Sequence, residues 1–469
     1  MVFASVDFLF LFLPVFLLVQ NFLPYRNVSY VLFSLLFYFI GEGWYTSVII
    51  ASVTGNYLFG IAIGVWLGRT GRKVALVLGI GANLGALIYF KYAGFFAANL
   101  LDGALESRVS AHLPLGISFF TFHAISYLVD VYRLDAEAER SFVRLALYIL
   151  MFPQLIAGPI LRFHTVAPQL RARTVTAENV YYGLVLFCLG MGQKVLLADT
   201  LAGICDPLFA KWQSLSAAAA WLAAISYSLQ LYFDFSGYSN MAIGLGWLSG
   251  FYFPMNFNYP YISRSITEFW RRWHISLSRW FRDYLYIPLG GNRHGAVQTY
   301  RNLIVVFVLC GFWHGAAWTF LAWGAYHGAL LVVERLGLGA ALERVPAPFR
   351  HLYALFAILV GWVIFRAEDL TQAAGILRKM MFAEGAAGDA FTPVLTGEET
   401  VVLSIGVVLA TPLVANLMRP WVAVPDHPPW PPRSPWAYGW GLALGGVVLC
   451  AAATKILTGS YSPFIYFRF

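Results

Sequence analysis

Charge is what this chain has least of. Lys, Arg, Asp and Glu together make up 12% of its 469 residues, where a soluble globular domain carries about a quarter. Cysteine is also sparse, with four at Cys188, Cys205, Cys310 and Cys450. They show no CxxC or Cys/His spacing, so neither a disulfide framework nor a zinc site is indicated. No GxSxG elbow, HExxH, Walker loop or Rossmann fingerprint stands in a suitable setting. That speaks against triad hydrolases, zinc proteases and nucleotide-hydrolysing pumps. Apolar residues, by contrast, reach 59%, and the mean hydropathy is +0.68. A soluble enzyme, a disordered chain and a fibrous one are excluded; a chain surrounded mostly by lipid fits.

The net charge is 31 − 23 = +8. In a soluble protein that would raise nucleic acid as a partner. In a polytopic membrane protein, Arg and Lys hold loops on the cytoplasmic side, so no nucleic-acid partner is expected.

At roughly 20 apolar residues per span, the composition allows at most roughly 13 or 14 spans. The first run, Phe8 to Leu23, is preceded by Asp7 and by no Lys or Arg, and reads as a retained first span. Runs follow at Val28–Ile40, Tyr45–Leu67, Val74–Leu101 and Leu113–Val131, with a Gly-Glu-Gly-Trp turn at 41–44 and a tilt or break near Lys91. The first, third and fifth each lead into positive charge, at Arg26, at Arg69–Lys73 and at Arg133–Arg140. That alternation places the N-terminus outside the cytoplasm. Later runs cover roughly 143–161, 177–198, 217–233, 237–253, 303–333, 350–365, 400–418 and 437–456. The run 303–333 is too long for one span and must turn or tilt. Phe152 to Pro159 is apolar but broken by two prolines and a glycine, as at membrane depth beside protein or a wet cavity. Pro425 to Pro435 reads as a rigid surface loop. Residues 1–469 form one membrane domain.

The segment Ser263–Asn292 carries the strongest pattern. Ser265 followed by Glu268 predicts a capped helix start. On a helical wheel, Trp270, Trp273, Leu277, Trp280, Phe281 and Tyr284 share an arc of about 100°. Arg271, Arg272, Arg279 and Arg282 lie opposite. Between 262 and 301 seven Arg stand against Glu268 and Asp283, a balance of +5. This predicts an amphipathic helix lying flat on the cytoplasmic membrane surface. Its arginines suit lipid headgroups, an anionic donor, or both. His274 falls at the seam of the two faces, either as a hydrogen-bonded interfacial residue or as a functional one.

His314 lies deep in the run 303–333, between Gly311 and Gly315. Ionisable groups inside a membrane mark a site or a path, or a hydrogen bond between helices. Histidine at such depth can act as a general base, because imidazole titrates near neutrality. His327 would lie about 20 Å along on a straight helix and could not pair with it there. Asp234, flanked by Phe233 and Phe235, reads as a helix-end or packing residue or as a partner that orients a functional group. Gln154, His123 and Asp130 are weaker candidates of the same kind.

Several stretches carry a resemblance. They are Phe8-Leu9-Phe10-Leu11-Phe12-Leu13-Pro14, Leu113 to Phe122, Phe152 to Pro159, Asp234-Phe235-Ser236-Gly237-Tyr238 and Asn256-Phe257-Asn258-Tyr259-Pro260-Tyr261. Phe269 to Ser278, Tyr286 to Gly291, Gly311 to Gly315 and the final Phe464 to Phe467 complete the set. In these the chain resembles the membrane-bound O-acyltransferase family and, within it, the branch serving bacterial alginate O-acetylation. The resemblance spans nearly the whole chain; 269–291 and 311–315 are its specific parts. It departs at Asn240, where an acidic residue would be expected.

The resemblance implies an all-α polytopic membrane protein, a ring of roughly 11–13 transmembrane helices about a central tunnel, with interfacial amphipathic helices beside it. It implies an O-acyltransferase of a bacterial inner membrane with a periplasmic N-terminus. His314 would be the general base and His274 its assistant, both facing the tunnel. Arg271, Arg272 and Arg279, with Asp234 and Gln154, would serve donor or substrate. The donor would be a cytoplasmic thioester, acetyl-CoA as co-substrate, with no bound cofactor and no metal. The partners would be membrane lipid, a periplasmic acetyltransferase acceptor protein and polysaccharide assembly machinery. Two other readings stand beside it: acyl or D-alanyl transfer from a carrier protein to a cell-envelope polymer, and a transporter or channel without chemistry.

Overall fold

The computed structural model describes residues 2–22, 24–66, 68–100, 112–382, 393–418 and 436–459. The proline-rich 425–435 stretch and the final aromatic motif lie outside them. Among the described residues the regular elements are helical, without strands. Six helices are long and apolar enough to cross a membrane: Arg26–Val65, Arg69–Asn99, Ala177–Ala210, Ala296–His314, Ala347–Arg366 and Trp436–Leu457. The all-α polytopic membrane fold that the resemblance implies is the observed one.

The chain divides into two compact units. One comprises Met1–Phe187 with Ser239–Pro254, the other Cys188–Tyr238 with Met255–Phe469.

In the first unit, phenylalanines pack into a cluster around Phe152. Phe152 meets Phe12 and Phe16 edge-on, with ring centroids 5.3 and 5.0 Å apart. Such tilted aromatic contacts add to the burial itself. The Gly-Glu-Gly-Trp turn forms as read: Arg26–Glu42 ends at Gly43, whose φ of 56° is left-handed. Near Lys91 the helix Arg69–Asn99 does not break but passes through a π-helical turn, Ile88–Tyr92. The Phe152–Pro159 stretch is broken as its prolines require. Helix Phe142–Leu150 stops at Met151, and Phe152–Leu155 is a single turn. The runs 217–233 and 237–253 differ from their reading. A single helix, Ala217–Leu248, takes up most of both, because Gly237 does not interrupt its backbone bonding.

In the second unit the run 303–333 does turn. Helices Ala296–His314 and Trp318–Val333 form a hairpin through Gly315–Ala317. Glycine sets its closeness: a Cβ at Gly311 would overlap the carbonyl oxygen of Phe320, and one at Gly324 that of Phe307.

The segment 265–284 departs most from expectation. It is two short helices, Ile266–Arg272 and Ile275–Phe281, and not one flat helix. The start is capped as read, with the Glu268 amide donating to Ser265 Oγ at 3.0 Å. The chain then breaks at His274, whose φ of 43° is left-handed. The aromatic face turns inward: Trp270 and Trp273 are buried, Trp270 edge-on to Phe307 and Trp273 against Trp362 at 4.8 Å. A helical wheel assumes a helix that does not break, so it could not show that Trp270 and Trp273 pack on protein.

Candidate active site

The second unit brings both predicted histidines into one aromatic assembly. His314 ends its helix and is 5% exposed. Its ring meets Trp323 at 5.3 Å and 89°, and Phe365 at 5.2 Å. From Trp323 the contacts run to Trp362 at 6.1 Å, to Trp273 at 4.8 Å and to Phe257 at 5.0 Å. Phe257 touches Phe235 at 4.9 Å, and Phe235 meets His274 edge-on at 4.6 Å. An unbroken series of rings therefore joins position 314 to position 274.

His274 is 1% exposed. Its Nδ1 lies 3.1 Å from Asn256 Oδ1. The same oxygen accepts from the Ser276 amide at 3.2 Å and from Ser276 Oγ at 2.9 Å. The Asn256 carbonyl oxygen accepts from the Ile275 amide at 2.9 Å. His274 Nε2 has no hydrogen-bond partner among the described residues. Asn256 belongs to a stretch noted for its resemblance, but no role for it could be read from the sequence.

His327 also reaches this assembly, through the hairpin turn that a straight helix would have denied it. Its ring lies 5.2 Å from Trp323 and 5.2 Å from Trp270, whose Nε1 donates to Nδ1 at 3.4 Å.

The other predicted residues fall into separate surroundings. Asp234 joins a buried ion cluster: Lys194 Nζ lies 2.8 Å from Asp234 and 2.5 Å from Asp199. Lys194 and Asp199 were not singled out from the sequence, although a Lys inside an apolar run is the signal that could have found them. Arg271 and Arg279 are exposed. Arg272 is held locally, by Glu268 at 2.9 Å and by the Asn258 carbonyl oxygen at 3.1 Å.

Gln154, His123 and Asp130 lie in the first unit, all buried. Gln154 Nε2 donates to the Tyr148 carbonyl at 2.6 Å, and His123 Nε2 accepts from the Leu161 amide at 3.3 Å. Asp130 accepts from the His164 amide at 3.0 Å and lies 2.9 Å from its ring. The hydrogen-bonded Asp130 carboxylate raises the pKa of His164 above its ordinary value.

One further support for 266–281 was invisible in sequence. Glu334, 68 positions on from Ile266, accepts from the Ile266 amide at 2.6 Å, the Thr267 amide at 2.9 Å and Thr267 Oγ1 at 2.6 Å. An acidic side chain at a helix start answers orphan N–H groups and the positive end of the helix dipole.

A family model for the membrane-bound O-acyltransferase family matches residues 79–365, which contain both His274 and His314. The chain belongs to that family. It is a multi-pass membrane protein and an O-acyltransferase. It is 42% identical to a probable alginate O-acetylase of Pseudomonas putida over 100% of both chains. It is 38% identical to a peptidoglycan O-acetyltransferase of Helicobacter pylori, over 81% of this chain and 79% of that one. It is 32% identical to a teichoic acid D-alanyltransferase of Streptococcus thermophilus, over 47% of this chain and 56% of that one.

Proposed function

We propose that this acyltransferase moves an acetyl group from acetyl-CoA, arriving from the cytoplasm, to a periplasmic acceptor that serves O-acetylation of an exopolysaccharide of the alginate type. Its membrane would be the bacterial inner membrane, with the N-terminus on the periplasmic side. The acceptor would be a periplasmic acetyltransferase working with the polysaccharide assembly machinery. The observation that carries this reading is His314: an imidazole buried among Trp323 and Phe365 at the end of an apolar helix. Full-length similarity to a probable alginate O-acetylase supports the polymer.

In this reading donor and acceptor meet beside His314 in a passage that crosses the bilayer. The acceptor hydroxyl oxygen attacks the thioester carbonyl carbon, and its proton passes to the His314 ring. The carbon–sulfur bond breaks, and the departing thiolate takes that proton from the imidazolium. The surrounding rings limit water and hence thioester hydrolysis. His274 acts as a second polar contact for donor or acceptor, and Arg271 and Arg279 receive the donor's phosphates.

The test is purified protein with radiolabelled acetyl-CoA and candidate acceptors, wild type beside His314→Ala. Acetyl transfer by wild type alone supports the reading. Turnover with an acyl carrier protein and none with acetyl-CoA would move the donor to the D-alanyl-transfer type, a reading that the resemblance to a teichoic acid D-alanyltransferase favours. No thioester cleavage with either donor would leave a channel.

A further inference from the structure

We infer that Asn256 is the positioning residue that fixes the tautomer of His274 and so aims a lone pair at Nε2. This rests on the role given to His274 above.

Donors and acceptors around the ring decide its tautomer. A backbone amide can only donate, so the Asn256 side-chain atom facing the Ser276 amide at 3.2 Å must be the oxygen. That oxygen also faces His274 Nδ1 at 3.1 Å. Two acceptors cannot bond to each other, so Nδ1 carries the hydrogen. The neutral imidazole then has its lone pair at Nε2. Nε2 is buried and without a hydrogen-bond partner among the described residues. Buried nitrogens of this kind are seldom left unpaired. An unpaired acceptor is what a hydroxyl or amide of a bound substrate would satisfy.

The same asparagine secures the backbone. His274 sits in the left-handed region, sparsely populated for a residue with a side chain. Such a conformation persists only where its surroundings hold it. The Ile275 amide donates to the Asn256 carbonyl oxygen at 2.9 Å, and the Asn258 amide to the Arg272 carbonyl oxygen at 2.9 Å. The two bonds bracket the break on either side. Side chain and main chain of one residue thus set ring tautomer and ring direction together.

Three variants of the full chain and two readouts test this. Histidine ring ¹⁵N spectra report the tautomer directly, with the His274 signals identified by their loss in His274→Gln. Wild type should show the Nδ1–H form, Asn256→Asp should retain it, and Asn256→Ala should lose it. Acetyl transfer should fall on the order of tenfold or more in Asn256→Ala and recover in Asn256→Asp, whose carboxylate oxygen accepts the same three bonds. An Nε2–H form in wild type would overturn the inference, and so would failure of Asn256→Asp to recover transfer. If His274→Gln is inactive but Asn256→Ala transfers as wild type, the positioning role falls while that of His274 stands. If His274→Gln itself keeps wild-type transfer, both fall.

Discussion

The indole of Trp323 stands edge-on to the imidazole of His314, centroids 5.3 Å apart and planes at 89°. That geometry turns the ring's electron-rich face or its positive rim toward its neighbour and holds the imidazole in one orientation. Trp323→Ala should keep the fold less well, because a large buried side chain is lost at about 3–5 kcal/mol. Trp323→Phe, which keeps a ring there, should retain most transfer. His314→Ala should abolish polymer acetylation at normal protein level and monodispersity in detergent, measured by acetyl content of the secreted polymer.

The arginines should separate by their surroundings. Exposed Arg271 and Arg279 changed together to Ala should raise the acetyl-CoA concentration for half-maximal transfer by roughly tenfold, the scale of one lost charge-assisted contact. Arg272→Ala should instead lower thermal stability, since Glu268 and the Asn258 carbonyl oxygen lose their donor. An unchanged donor requirement in the double variant would leave those two side chains as lipid anchors.

Lys194 stands between two carboxylates in a buried setting. Lys194→Met leaves both without their cation and should cost about 3–5 kcal/mol, read as a fall in melting temperature in detergent. Adding Asp199→Asn and Asp234→Asn to it should restore much of that loss. Wild-type acetyl transfer by the triple variant would then give Asp234 a packing role, and loss of transfer at restored stability a catalytic one.

His164 gives a pH dependence outside the six candidate spans. Its pKa is raised by Asp130, so the pair's contribution is fully present below the ordinary histidine value of about 6.5 and is lost as pH rises through the higher folded value. The stability advantage of wild type over His164→Gln should therefore shrink as pH rises above about 6.5. An advantage that grows with pH would contradict the pairing. Melting temperature across that range is the measurement.

Much of the fold could be read from apolar runs, because hydrophobic length and interrupting Gly or Pro act locally. Gly43, the turn at 315–317 and the break at Met151 follow from such signals. His314 could be found because a titratable group amid apolar residues stands out on its own. The environment of His274 could not. Its ring and its backbone depend on Asn256 and Phe235, and spacing along the chain encodes neither contact. Glu334 is a similar case: a cap 68 positions from the amide it serves leaves no local trace. The wheel for 265–284 assigned its aromatic arc to lipid because amphipathicity tells which face is buried, not what buries it.

The glycine contacts of the hairpin have one more result. With backbone against backbone at Gly311 and Gly324, sliding either rod by a turn would push side chains into main chain. The two rods are locked in register, and any shift that brings His314 toward its reactants has to carry both of them as one lever.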